Sequence, residues 1–409
     1  MSSVKSLDYT NPVKFAKQDV ERTALGHLLV SDQYHQIVIP VFQRPYCWPQ
    51  QQLEAWLENI IQGSHDPEAD DVSCDVDVAG EFHSVGIGRF KRTEHGLICV
   101  DGQQRITTTS LFISALADTL NNTLDKIRDE ECRDLAREAI NKCEYFLFKD
   151  KDQLKLDLAS NEDISLILTH LRVLSSHQDR LQFLGCVLGN RVDHQLPEIN
   201  EDDPITLTKK YFLNNLEMLL SGSDADACVR QCVRMLHSSV VWMRMMVVSV
   251  QDEVDLCQWF LWLQEKSLLG FAALLMNDTP GVDFKAGDLA KNLLLSVFLE
   301  KSVSYQDQVY QRLWTPSLQK LSRDDAFLTA FLLHKENDIS VSEEKKNRYN
   351  MYGAEGDEKL SGLQLYGRFQ TMYEKTVEEK ISSNNDNLEA IHVDLLTQFD
   401  SFSKDFISQ

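Results

Sequence analysis

Residues able to do chemistry crowd most densely at Val100-Asp101-Gly102-Gln103-Gln104-Arg105. A short apolar run, Leu97 to Val100, enters this hexapeptide, and a stretch with helical apolar spacing, ITTTSLFISALADTL, leaves it. A strand that turns through glycine into a helix presents free backbone N–H groups and the positive end of the helix dipole, and both attract phosphate. Arg105 adds a forked donor for phosphate oxygens. The same residues also suit plain helix punctuation. Asp101 is a good N-cap, and Gln104 three residues later completes a capping-box-like pair. Both readings stand on residue chemistry alone. An ionised Asp101 beside a phosphate repels it unless a cation lies between, so the phosphate reading implies Mg²⁺ with Asp101 as its protein ligand.

A second constellation, Pro40-Val41-Phe42-Gln43-Arg44-Pro45-Tyr46-Cys47-Trp48-Pro49, sets Arg44, Tyr46 and Trp48 at alternate positions of a proline-held segment. Extended backbone points alternate residues the same way, so these three either line a surface for a base and its phosphate or close the core, with Arg44 in an ion pair. A third places Asp288, Lys291 and Asn292 on one side of a helix, after the turn Asn277-Asp278-Thr279-Pro280-Gly281. It reads equally as an ordinary solvated helix face. His83 and His95 lack a partner for catalysis, and Cys228 and Cys232, one helical turn apart with no histidine at ligand spacing, read as core thiols. No phosphate-binding loop of the GxxxxGK[ST] type and no HExxH is present.

The elements that must position these groups follow from periodicity. Helix is expected over residues 20–30 and 50–62 with Gly63 as C-cap, strands over 37–42, 82–90, 97–100 and 245–250, and an acidic solvated loop over 64–80. Beyond residue 110 the pattern is almost wholly helical: 123–148, 162–186, 205–220, 225–244, 253–276, 286–300, 324–334, 361–380 and 385–407, with a loop at 335–360. The fold class expected is α+β, a small mixed α/β N-terminal domain followed by a mostly α-helical one. The divisions are 1–120, 121–335 and 336–409.

The chain has 409 residues, 43% hydrophobic and 25% charged, which excludes wholesale disorder. Lys plus Arg number 41 against 63 Asp plus Glu, a net charge of −22. That balance opposes non-specific DNA binding and leaves direct DNA contact weak or local. Nine scattered cysteines without a Cys-x-x-Cys pair read as reduced thiols. With no long apolar run, the expectation is a non-membrane protein of the cytoplasm, or of the nucleus in a eukaryotic host.

The order IPVFQRPYCW, an amphipathic helix at 50–62, EFHSVGIGRF, LICVDGQQRITT and then NDTPG…DLAKN resembles the N-terminal domain of GmrSD-type modification-dependent restriction enzymes, of the ParB/sulfiredoxin-like superfamily. The resemblance is tight over residues 37–62, 81–120 and 277–295. It implies a nucleotide-phosphate turn with Asp101, Gln104 and Arg105 as catalytic residues, Asp101 on the metal, and Gln103 and Gly102 contacting the ligand, the glycine by close backbone approach. It also implies Arg44 and Tyr46 beside that turn, with Asp288, Lys291 and Asn292 closing the site. The implied activity is Mg²⁺-assisted hydrolysis of a nucleoside triphosphate, coupled to restriction of modified DNA. The two late histidines, His334 and His392, lie outside the His-Ile-x-Pro setting of the family's nuclease half, so nuclease chemistry is expected from a separate nuclease or other protein partner. The alternative is a non-catalytic regulatory or interaction protein that keeps the fold. On the catalytic reading, Arg105→Ala abolishes phosphate release from a protein that stays folded.

Overall fold

A computed structural model describes residues 18–30, 36–41, 43–65, 82–93, 96–160, 164–189, 200–250, 286–298, 301, 303–314, 325–337, 362–384 and 387–407. The expected helix at 253–276, the turn at 277–281, and most of the loops at 64–80 and 335–360 lie outside these residues.

The chain enters the fold as a strand, β1 (Gln18–Ala24), which passes straight into the short helix α1 (Leu25–Val30). The helical spacing of residues 20–30 is therefore misleading in its first half. β1 pairs with β6 (Met243–Val250) along its whole length, from Gln18 opposite Val250 to Ala24 opposite Arg244, and a partner so distant leaves no local period. Next come β2 (Ile37–Val38), α2 (Gln50–Gly63), β3 (His83–Thr93), β4 (Gly96–Asp101) and the long helix α3 (Gln103–Thr123). Then follow α4 (Glu130–Leu147), α5 (Lys151–Ala159), α6 (Ile164–Thr169), β5 (Val173–Leu174), α7 (Arg180–Leu188), α8 (Pro204–Leu220) and α9 (Ala225–His237). The single helix expected over 162–186 is thus two helices around a strand. β5 lies in the sheet because its two residues pair with Ile37 and Val38.

The six strands form one mixed sheet in the order β1-β6-β3-β4-β2-β5. β4, β2 and β5 run parallel, β3 runs against β4, and β6 runs parallel to β3. Two of the strands come from beyond residue 120. After the sheet the described chain is helical: α10 (Ala286–Ser296), α11 (Val303–Leu313), α12 (Asp325–Asn337), α13 (Gly362–Asn384) and α14 (Leu388–Ile407). The protein is accordingly a mixed α/β unit followed by mostly helical chain. Among the described residues no helix is long and apolar enough to cross a membrane.

The apolar run Leu97-Ile98-Cys99-Val100 shows how the sheet is held. Leu97 and Cys99 join one core with α2, α3 and α9, while Ile98 and Val100 join a second core with α10 to α14. Successive strand residues face opposite sides, so a strand buried on both faces reads as an unbroken apolar stretch. α3 is buried on every side from Gln103 to Asp118, and its hydroxyls are satisfied inside the helix or just beyond it: Thr109 donates to the Arg105 carbonyl (2.8 Å) and Ser114 to that of Cys186 (3.0 Å). Asp118 pairs with buried Lys209 at 2.6 Å.

The second core is aromatic, with the rings of Phe331 and Phe399 4.0 Å apart. It also buries His392. Its Nδ1 faces the Leu294 carbonyl (2.8 Å) and its Nε2 faces the Tyr373 hydroxyl (2.6 Å), contacts that suit a neutral imidazole donating through Nδ1 and accepting at Nε2. Burial holds its pKa below the ordinary histidine value. Acidification therefore protonates the unfolded chain first, so this group's contribution is complete above about pH 6.5 and is lost as pH falls below it. Urea denaturation at pH 7.5 and 5.5 is expected to show a larger acid loss of stability in the wild type than in His392→Phe.

Candidate functional site

Three chain segments leave the carboxyl ends of adjacent parallel strands at one edge of the sheet: 39–48 after β2, 101–105 after β4, and 175–180 after β5. In open α/β sheets such an edge is where ligands bind. The turn between β4 and α3 is made by Gly102, whose φ of +106° is left-handed, and Gly102 is the N-cap of α3 with no side-chain capping bond. The capping-box reading is thereby corrected. Asp101 is still strand, and its carboxylate pairs with Arg89 (2.6 Å) and approaches Arg105 (3.7 Å) instead of capping the helix.

Arg105 is 3% exposed. Its guanidinium donates to the backbone carbonyls of Val85 (2.8 Å) and Ile87 (2.7 Å) at the start of β3. The intervening Gly86 has φ +96°, and a Cβ there would lie 2.5 Å from the guanidinium. Arg105 therefore shapes the wall of the turn.

Gln103 and Gln104 reach the segment after β2. Gln103 donates to the Arg44 carbonyl (3.3 Å), while the Gln104 side chain accepts from the Cys47 N–H (3.0 Å) and donates to the Pro45 carbonyl (3.4 Å). Gln43 in turn donates to the Val100 carbonyl (2.9 Å). Arg44 is half-buried beside these contacts. Tyr46 and Trp48 both lie in the first core, Trp48 edge-on to Trp56 at 5.3 Å, so these two rings close the core. The Tyr46 hydroxyl meets Thr108 (2.7 Å) and accepts from Thr208 (3.5 Å), and burial pushes its pKa well above the ordinary tyrosine value.

A residue that sequence reasoning missed completes the edge. Asp179 accepts the Tyr46 N–H (2.9 Å) and the Ser176 hydroxyl (3.0 Å). Burial raises its carboxyl to about 6, against the lowering effect of those bonds and of the Lys291 charge. Lys291, on α10, is buried and electrostatically coupled to Asp179, so the third constellation does reach this edge through its lysine. The side chains of Asp288 and Asn292 lie outside the described set. The signal for Asp179 was its place ahead of the apolar period of α7, masked by reading 162–186 as one helix.

The following segment also ties the edge to the helical chain. Asp307 of α11 accepts from Arg180 (2.5 Å) and meets His177 (2.9 Å), and those two partners hold its carboxyl below the usual range despite burial. The donor set does not fit Mg²⁺ as arranged: both Asp101 oxygens face guanidinium groups, and among the described residues no three His, Cys, Asp or Glu side chains converge. Cys232 is a buried core thiol, and burial pushes its pKa up to about 12. His83 stacks on Trp242 at 5.4 Å.

Compared with known families, residues 25–260 match the family described as GmrSD restriction endonuclease, N-terminal domain. No curated protein gives a significant match.

The geometry changes what Arg105→Ala should do. Removing the guanidinium takes away both of these hydrogen bonds, one of them fully buried, a loss of about 3 kcal/mol. Thermal unfolding should show a clear fall in melting temperature, with Arg105→Lys intermediate; an unchanged melting temperature would remove Arg105 from the scaffold.

Proposed function

Because the chain belongs to the GmrSD restriction endonuclease N-terminal domain family, which makes it restriction-related, we propose that it binds and hydrolyses a nucleoside triphosphate where β4 passes into α3. The observation that carries the reading is the start of α3. A 21-residue helix opens on a left-handed glycine with no side-chain cap, at the carboxyl end of a central parallel strand. The first-turn N–H groups and the helix dipole supply the attraction for phosphate oxygens.

In this reading the roles expected from sequence are redistributed. Arg44, half-buried beside the turn, and Lys291, buried on α10, supply positive charge to the phosphates. Gly102 lets the ligand come close to the backbone. Gln103 and Gln104 hold the segment that carries Arg44, and Tyr46 anchors its far end. Arg105 and Asp101 set the turn's shape. Asp288 and Asn292 keep their place in the proposal through the family resemblance alone. The nucleotide arrives already complexed with Mg²⁺, as triphosphates are in solution. A separate nuclease or other protein partner acts on DNA downstream.

One observation favours the second reading, a regulatory protein that binds nucleotide without turnover. Asp101, Gln104 and Arg105, the three residues expected to catalyse, are all engaged inside the fold.

Calorimetry with ATP, GTP, CTP and UTP, each with Mg²⁺ and with EDTA, together with phosphate-release assays, separates these. Binding and release support hydrolysis, and binding alone selects the regulatory protein. Arg44→Ala, which keeps the Arg44 carbonyl that Gln103 contacts, is expected to weaken binding at least about tenfold, the effect of losing one charged phosphate contact. If none of the four nucleotides binds, with or without metal, both readings fail.

A further inference from the structure

Asp101, Gln104 and Arg105 make their hydrogen bonds inside the fold, so a hydrolytic site at this edge needs a proton acceptor from elsewhere. The segment 175–180 carries one. Asp307 approaches His177 from α11 with its Oδ1 2.9 Å from the ring Nδ1, while its Oδ2 accepts from Arg180 (2.5 Å). Arg180 is itself fixed, being 4% exposed and donating through Nε to the Ser175 carbonyl (3.4 Å). The His177 ring also lies against that of Tyr310, with centroids 4.8 Å apart, and the neighbouring Gln178 donates to the Tyr310 hydroxyl.

The carboxylate decides the tautomer of this ring. Burial works against an ionised Asp307, but the His177 hydrogen bond and the Arg180 charge outweigh it and hold the group below the usual carboxylate range. An ionised carboxylate only accepts, so in the neutral imidazole Nδ1 carries the hydrogen and Nε2 the lone pair. Among the described residues Nε2 meets no hydrogen-bond partner, and the side chain is 21% exposed. A carboxylate behind Nδ1 with an open Nε2 in front is the arrangement of an oriented general base. The buried His392, both of whose nitrogens are engaged, is the structural contrast.

Its place in the sheet matches that role. In the order β4-β2-β5 one strand separates the end of β4 from the end of β5, a span of about 10 Å. Phosphates anchored at the start of α3 and extended past Arg44 therefore lead toward 175–180, where Lys291 is electrostatically coupled to Asp179.

Building on the hydrolytic reading above, we propose that His177 is the general base of the nucleotide site and that Asp307 is its positioning residue. Nε2 takes a proton from a water molecule as the water oxygen bonds to the terminal phosphorus. The bond from that phosphorus to the bridging oxygen breaks, and the nucleoside diphosphate leaves with that oxygen and the bonding electron pair. The proton on Nε2 then passes to solvent, which restores the neutral ring.

The test is steady-state phosphate release by the whole chain from the Mg²⁺ complexes of ATP, GTP, CTP and UTP, beside calorimetry and thermal unfolding. His177→Asn places an amide donor where Nδ1 met Asp307 and removes Nε2, so a structural role survives the change and a catalytic one does not. The expected result is a kcat lowered at least about 100-fold, the usual contribution of a general base, with nucleotide affinity and melting temperature unchanged. His177→Gln is expected to behave the same, and it replaces His177→Asn in the comparison if that variant melts early. Asp307→Asn keeps a carbonyl for Arg180 and turns an N–H toward Nδ1, which favours the wrong tautomer; it should lower kcat, by less than His177→Asn, and leave KM unchanged. Unaltered kcat in a folded His177 variant overturns the proposal and leaves the nucleotide reading standing. A loss confined to KM and affinity overturns it too, since His177 would then be a ligand contact and no base. Wild-type binding without phosphate release ends this proposal together with hydrolysis and selects the regulatory protein, and absence of binding to all four nucleotides ends every reading of the site.

Discussion

A guanidinium withdrawn from water has to find its compensation inside the protein, and at Arg105 that requirement organises the edge of the sheet. The bonds to the Val85 and Ile87 carbonyls pull the start of β3 against the first turn of α3. They leave no room for a side chain at Gly86, whose left-handed backbone lets the two carbonyls converge. At Gly102 the left-handed turn carries the chain from strand to helix, and a Cβ there would lie 3.4 Å from the Cα of Gly88. Asp101 supplies the nearby negative charge and is itself balanced by Arg89. Strand end, helix start and the neighbouring strand are therefore one bonded unit.

From that unit the other two segments of the edge are fastened by side chains that contact the backbone. Gln103 and Gln104 grip the Arg44–Cys47 backbone, and Gln43 returns to the end of β4. On the far side Asp179 takes the Tyr46 N–H, so the proline-held segment is pinned at both ends. The start of α3 carries no side-chain cap, and that is the feature on which the proposed nucleotide site rests. The second core brings α10 and its Lys291 to the same place, and α11 is tied in through Asp307. Residues within the matched family region and residues beyond it thus meet at one edge.

Legibility in the sequence followed the range of the interactions involved. The passage from β4 through Gly102 into α3 could be read because strand, glycine and helix are contiguous, and α2 because its apolar stripe repeats locally. The family membership could be read from ordered short motifs. β1 and β5 could not, since each is a strand only by virtue of distant partners: β1 pairs with residues more than two hundred positions away, and β5 has two residues. α11 went unseen for a similar reason. Its polar face is matched by His177 and Arg180, which lie far off in sequence.

What the sequence by itself determined was the inventory and the local order: a mixed α/β unit, a glycine turn into a helix, and an arginine poised near it. Which anionic or carbonyl oxygen that arginine would meet was decided only in three dimensions. A guanidinium can donate to phosphate and to peptide oxygens alike, and the tertiary packing of β3 against α3 is what brought the Val85 and Ile87 carbonyls within its reach.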